Sequence, residues 1–172
     1  MKRMDEYLQA ALKFEEDGYQ FYTKISKETN QPLAKRLFES LAIQENEHAK
    51  RIMEIYESLQ SGSETKPASR PAFSLEPEVK KIFYELDKDK KAMPLDNIEG
   101  YRLAMEMEKK GYNMYREFAE KVEDKREREF FRLLMEEEKE HLSSLDNVYR
   151  FLTGTEEWYA EEESKVWNWM ST

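Results

Sequence analysis

Apolar residues recur every three or four positions along most of this chain, the spacing that lines one face of an α-helix. From 4 to 28 the stripe is Met4, Leu8, Ala11, Gly18, Tyr22 and Ile25. "TNQP" at 29–32 interrupts it, and Pro32 suits the first turn of a new helix. That second helix is expected to run to about Leu59, with Leu37, Phe38, Leu41, Ile52, Ile55 and Tyr56 on its inner face. "SGSETKPASRP" (61–71) has the composition of a loop, and the stripe Val79, Ile82, Phe83, Leu86 predicts a short helix over about 76–87. A third long helix is expected from Asp96, which forms a capping-box pattern with Glu99, to about Val122. Asp124 and Glu127 repeat that pattern ahead of a fourth helix ending near Gly154. The tail, "TEEWYAEEESKVWNWM", predicts a shorter helix over about 155–170, anchored by Trp158, Val166, Trp169 and Met170.

These elements describe an all-α protein, a four-helix bundle in a single domain over 1–172. Tight turns join helices one and two (about 4–60) and helices three and four (about 96–153), which makes each pair antiparallel. The connection at 61–95 is long enough to carry the second pair back across the bundle.

The two pairs are copies of one another. At a spacing of 93 positions Glu15 matches Glu108, Glu45 matches Glu138, and His48 matches His141. Ala11, Gly18, Tyr19, Tyr22, Phe38, Leu41, Tyr56 and Leu59 find identical partners at the same offset, without a gap. Such self-similarity is the mark of an internal duplication.

The matched polar residues stand where apolar ones are expected. Glu15 lies within Leu8, Ala11, Gly18, Tyr22, and its counterpart Glu108 within Tyr101, Ala104, Gly111, Tyr115. Glu45 and His48 interrupt Phe38, Leu41, Ile52, Ile55; Glu138 and His141 interrupt Phe131, Leu134, Leu145, Val148. Residues three or four apart share a helix face, so each polar group points with its apolar neighbours. An unpaired carboxylate in a bundle core costs several kcal/mol, and no Lys or Arg lies in these stripes. Two divalent cations would balance four carboxylates and leave two neutral imidazoles as nitrogen ligands. One Glu from each of two helices, with Glu-x-x-His from each of the other two, is the donor set of di-metal carboxylate bundles. Each metal is expected to take one histidine and one terminal glutamate, with the other two glutamates bridging. Carboxylate and imidazole without thiolate suits iron, manganese or zinc. Tyr22 and Tyr115 lie seven residues beyond Glu15 and Glu108 on the same face, as hydrogen-bond donors, redox-active phenols or plain core residues. Gly18 and Gly111, one turn after those glutamates, leave room for close helix approach or for space beside the metals. The acidic runs at 161–163 and at Glu136, Glu137 and Glu140 are expected on the solvated surface.

Composition narrows the chemistry further. With 39% hydrophobic and 38% charged residues and only five Gly and five Pro, the chain has the profile of a soluble helical protein. A net charge of −9 counts against a nucleic-acid partner and suits cations. The absence of cysteine excludes disulfides, thiolate metal sites, iron–sulfur clusters and a catalytic thiol within the sequence. No apolar run approaches the ~20 residues of a membrane span. The charged start "MKRMDEYLQA" is unlike a signal peptide, so a cytoplasmic location is expected.

The stretches "ALKFEEDGYQFY", "LAIQENEHAKRI", "AMEMEKKGYNMYREFAE" and "LLMEEEKEHLSSL" resemble the rubrerythrin-like branch of the ferritin-like superfamily, and "LTGTEEWYAEEE" looks like that branch's C-terminal extension. The resemblance covers essentially the whole chain. It implies a ferritin-like four-helix bundle whose ligands are Glu15, Glu45, His48, Glu108, Glu138 and His141, holding two iron ions (manganese or zinc as alternatives). Two departures stand out. Rubrerythrins proper carry a four-cysteine rubredoxin domain; without cysteine here, the electron donor must be a separate protein such as a rubredoxin. They also bring a further carboxylate on the third helix, where this chain has Gly111, so its ligand set is symmetric and closer to that of bacterioferritin. The expected function is a non-haem di-iron redox protein that reduces peroxide or oxygen while oxidising Fe(II). The rivals are an iron-binding or storage protein without turnover and a structural helical module with a vestigial site. The pattern leaves open a homodimer in which the helix pairs are exchanged.

Overall fold

The computed structural model describes residues 5–62 and 96–153. Met4, the expected helix at 76–87, the tail helix at 155–170 and the acidic run at 161–163 lie outside the described residues. Within them the chain forms four helices: α1 (Glu6–Glu28), α2 (Pro32–Ser61), α3 (Ile98–Lys121) and α4 (Lys125–Thr153).

Each helix starts where a side chain satisfies amide groups that the first turn leaves unpaired. Asp5 Oδ1 accepts from Leu8 N at 2.8 Å, and Gln31 Oε1 accepts from Ala34 N at 2.6 Å just ahead of Pro32. Asp124 Oδ1 accepts from Arg126 N at 2.8 Å and from Glu127 N at 3.3 Å, as its pattern predicts. The cap of α3 differs from expectation. Asn97, not Asp96, is the N-cap, accepting from Gly100 N at 2.9 Å. Asp96 is drawn off to the turn between α1 and α2, where its Oδ2 accepts from Asn30 N at 2.7 Å. At the far end of α2, Gly62 adopts φ 65°, a left-handed conformation that suits glycine and stops the helix.

The apolar stripes meet in two clusters. One gathers Tyr22, Ile25, Leu37, Phe38 and Leu41 with Tyr101, Ala104, Leu145 and Val148. The other gathers Leu8, Ala11, Ile52 and Ile55 with Tyr115, Phe130, Phe131 and Leu134. Both draw on both helix pairs, so burial of these side chains holds the pairs together. The memberships also fix the topology. The end of α1, the start of α2, the start of α3 and the end of α4 share one cluster. The opposite ends share the other. Thus α1 runs antiparallel to both α2 and α3. The end of α2 and the start of α3 lie at opposite ends of the bundle, which the intervening residues must join. Between the two apolar clusters lies a polar layer at mid-bundle.

Candidate metal centre

The polar layer contains the six sequence-predicted ligands. Glu15, Glu45, Glu108 and Glu138 are each 0% exposed, His48 3% and His141 1%. Helical spacing explains why they converge: α1 and α3 supply one carboxylate each at mid-length, and α2 and α4 supply a Glu and a His one turn apart on the inner face.

Two overlapping groups result. Glu15, Glu45, His48 and Glu138 can each place a ligand atom within 4.8 Å of the others, and so can Glu45, Glu108, Glu138 and His141. Glu45 and Glu138 belong to both groups, the place of bridging carboxylates. Glu15 and Glu108 belong to one each, the place of terminal ligands. His48 Nδ1 lies 3.2 Å from Glu15 Oε2 and 3.3 Å from Glu138 Oε1. His141 Nδ1 lies 3.1 Å from Glu45 Oε1 and 3.4 Å from Glu108 Oε2. The two imidazole rings lie nearly parallel, at 10°, with centroids 5.3 Å apart.

Two further layers support this centre. Tyr22 donates from α1 to Glu108 Oε1 on α3, and Tyr115 donates from α3 to Glu15 Oε1 on α1. Each phenol thus crosses between helix pairs to fix a terminal carboxylate, while its ring stacks on Phe38 or Phe131 respectively. The glycines clear space for the shared carboxylates. A Cβ at Gly18 would stand 2.8 Å from Glu45 Oε2, and one at Gly111 would stand 2.7 Å from Glu138 Oε2.

Glu137 corrects the sequence reading. It is buried rather than solvated, whereas Glu136 and Glu140 are exposed as expected. Glu137 Oε2 accepts from His48 Nε2 at 2.9 Å, and both Glu137 oxygens accept from Arg51 Nη1, at 3.1 and 2.8 Å. The buried arginine beside the site was missed because the ligand stripes hold no base; Arg51 reaches in from the flank of α2. Its pairing with a residue 86 positions away leaves no local signal in the sequence.

Electrostatics describe a site short of positive charge. Burial, with the carboxylates of Glu15 and Glu108, pushes Glu45 well above the usual range. Burial, with Glu108 and Glu45, does the same to Glu138. For Glu108 burial acts upward, but His141, Glu138 and the Tyr22 hydroxyl together outweigh it and hold the carboxyl below its ordinary value. Burial pulls His48 down, yet Glu15 and the bond to Glu137 leave it well above its ordinary value. Glu137 is held down to about 2, against its burial, by His48 and Arg51. The phenols of Tyr22 and Tyr115 are pushed well up, by burial first and then by the adjacent carboxylates, so both stay protonated donors.

The donor atoms fit a pair of cations. All four oxygens of Glu45 and Glu138 are buried without a hydrogen bond from any described residue, as are Glu108 Oε2 and His141 Nδ1. Buried acceptors left this way cost about 1–3 kcal/mol each, more when charged. A cation bound by both shared carboxylates is the simplest group that satisfies them together. The outer nitrogens of both imidazoles are engaged, His48 Nε2 with Glu137 and His141 Nε2 with Gln44 Oε1 at 2.6 Å. That leaves each Nδ1 as the ring atom that would face a bound cation.

Among the described residues no helix is long and apolar enough to cross a membrane. No curated protein and no solved structure matches the chain. A family model described as Rubrerythrin matches residues 6–149, a span that takes in three helices and most of the fourth, the six convergent carboxylate and histidine residues and both crossing tyrosines. By that match, and with a buried carboxylate and histidine cluster of the kind such a fold builds, the chain belongs to the rubrerythrin family.

Proposed function

We propose that the protein is a non-haem di-iron redox protein that reduces peroxide or oxygen while oxidising Fe(II). The observation that carries this reading is the pair of four-residue groups sharing Glu45 and Glu138, whose buried oxygens have no hydrogen bond from the described residues. Two ferrous ions held there would supply one electron each, the two that a peroxide needs, with two protons, to become two waters. Glu15 and His48 would serve one position, and Glu108 and His141 the other. Tyr22 and Tyr115 would hold the terminal carboxylates in a fixed orientation through hydrogen bonds from the opposite helix pair. The two apolar clusters on either side of the layer would limit solvent around it. Re-reduction would fall to an electron donor outside these four helices, such as a rubredoxin.

The test is anaerobic loading of the metal-free protein with Fe(II), followed by peroxide. The expected result is two irons per chain, rapid growth of ferric absorption, and peroxide consumed at one equivalent per two irons. Two bound irons that stay ferrous after peroxide would leave metal binding without turnover. Glu45→Ala and His48→Ala should each abolish the two-iron stoichiometry.

A further inference from the structure

The two halves of the centre match in their ligands and their tyrosines, but differ behind the histidines. His48 Nε2 gives its hydrogen to a carboxylate, Glu137, at 2.9 Å. His141 Nε2 gives its hydrogen to a carboxamide oxygen, Gln44, at 2.6 Å. Positions 44 and 137 correspond at the same spacing of 93 that relates the ligands, so equivalent places carry different chemistry. The difference continues one step outward. Glu137 is gripped by buried Arg51, whose guanidinium lies 5.8 Å from the centre of the Phe130 ring. The place equivalent to Arg51 is taken by Ser144, also buried.

A buried ion pair costs desolvation that neutral groups avoid. Gln44 and Ser144 show that neutral side chains fill the same two places in the other half. The charged pair therefore has an effect beyond filling space. An imidazole whose outer N–H donates to a carboxylate carries more negative charge on its other nitrogen than one donating to an amide. Arg51 cancels the net charge of Glu137, so the difference reaches the centre through the His48 ring rather than as the field of an extra anion.

We infer that Glu137, held by Arg51, is a positioning residue that makes the two metal positions unequal: the position of His48 and Glu15 takes a divalent cation first and holds it more tightly than that of His141 and Glu108. This rests on the two-metal reading above. It gives loading an order, and it makes the His141 position the one that exchanges its ion.

The test is an anaerobic titration of the metal-free full chain with Co(II), read by calorimetry and by proton spectra of the ring N–H groups. The chain has only two histidines, so two paramagnetically shifted N–H signals suffice, assigned with His141→Gln. At one equivalent the shifted signal should belong to His48. Glu137→Gln should weaken the first step by about 10–100-fold and spread the first ion over both positions. Because that change leaves Arg51 unpaired, Gln44→Glu provides a second arm that removes no partner; it should strengthen the second step and bring the two affinities together. A structural role for Glu137 alone would lower stability and leave the order of filling unchanged. Equal occupancy at one equivalent, His141 filling first, or an unaltered first step in Glu137→Gln overturns the inference while leaving the two-metal site standing. Failure to bind Co(II) at all overturns the two-metal reading beneath it.

Discussion

Gly18 and Gly111 occupy equivalent places, yet their neighbours differ in a way that makes them separable by experiment. A Cβ at Gly18 would have its nearest neighbours in the flexible Glu45 side chain, whereas one at Gly111 would also meet the Phe14 ring at 2.8 and 2.9 Å. Alanine is the better helix former by about 1 kcal/mol. Gly18→Ala should therefore leave the metal-free protein as stable as the wild type or up to ~1 kcal/mol more so, while displacing Glu45 and weakening metal uptake. Gly111→Ala should lose about 1–2 kcal/mol, because the Phe14 ring has to shift as well. Urea unfolding of both metal-free variants checks the pair, and equal effects would refute it. The tyrosines give a second residue-level prediction. Tyr22→Phe strips a buried bond from Glu108, and Tyr115→Phe strips one from Glu15. Each should destabilise the metal-free protein by ~1–3 kcal/mol, with similar values for the two because the contacts are equivalent. The convergence of four carboxylates and two histidines in the core was legible in the sequence because period and repetition both mark them. Glu137 was not. It sits within three consecutive glutamates, and the approach of Arg51 and His48 from the other helix pair distinguishes it from its exposed neighbour Glu136.

The same distinction between local and tertiary information holds for whole elements. Helix existence and the two tight turns follow from stripe spacing, Pro32 and the acidic caps. The start of α3 does not, because Asp96 and Asn97 are both good caps by type. Asp96 is committed instead to the Asn30 amide on the first helix pair, a contact that no local pattern encodes. Asn97→Ala should cost about 1 kcal/mol, the usual value of an N-cap, measured by thermal unfolding. The start of α4 carries a pH dependence. Burial, a bond to Asp5 and the charges of Asp5 and Asp124 raise Glu127 from 4.5 to about 8. A raised carboxyl means that the folded state holds the proton more tightly than the unfolded chain. Its contribution is therefore complete below pH about 4.5 and is lost as pH rises through about 8. Glu127→Gln keeps the neutral form at every pH. It should match the wild type near pH 4.5 and exceed it by ~1–2 kcal/mol at pH 9. That is less than the full shift implies, because the helix N-terminus favours the anion and solvent screens it in an open pocket lined by Asp5, Val122, Asp124 and Glu127. Urea unfolding across this range checks the slope; parallel curves would contradict the assignment.

At the scale of the whole molecule, the backbones of α1 and α2 run close together, as do those of α3 and α4, while α1 and α3, and α2 and α4, approach closely at few places. The space between the pairs is filled by long side chains: the aromatic clusters at either end and the carboxylate and histidine layer between them. Apolar burial pulls the pairs together, and the layer opposes it, since four carboxylates that repel one another must share one dry interior. Cations bound in that layer draw ligands from both pairs at once, because each four-ligand group includes residues on either side of the division. Metal should therefore act as a clamp between the duplicated halves, and its removal should be felt globally rather than as fraying of one helix. An ion present at 100 times its dissociation constant adds ~2.7 kcal/mol. A chain of this size shifts its unfolding midpoint by ~2–4 °C per kcal/mol. Chelation of two such ions, worth ~5.4 kcal/mol together, should thus lower the midpoint by about 11–22 °C in a single cooperative step, and Fe(II) or Co(II) added back without oxygen should restore it. In Glu45→Ala, which removes a carboxylate common to both groups, the metal-free protein should equal or exceed the metal-free wild type in stability while gaining almost nothing from added metal. Calorimetric scans of both proteins with and without Co(II) separate the two effects. A variant that still gains the full increment would show that the clamp lies elsewhere than at the shared glutamates.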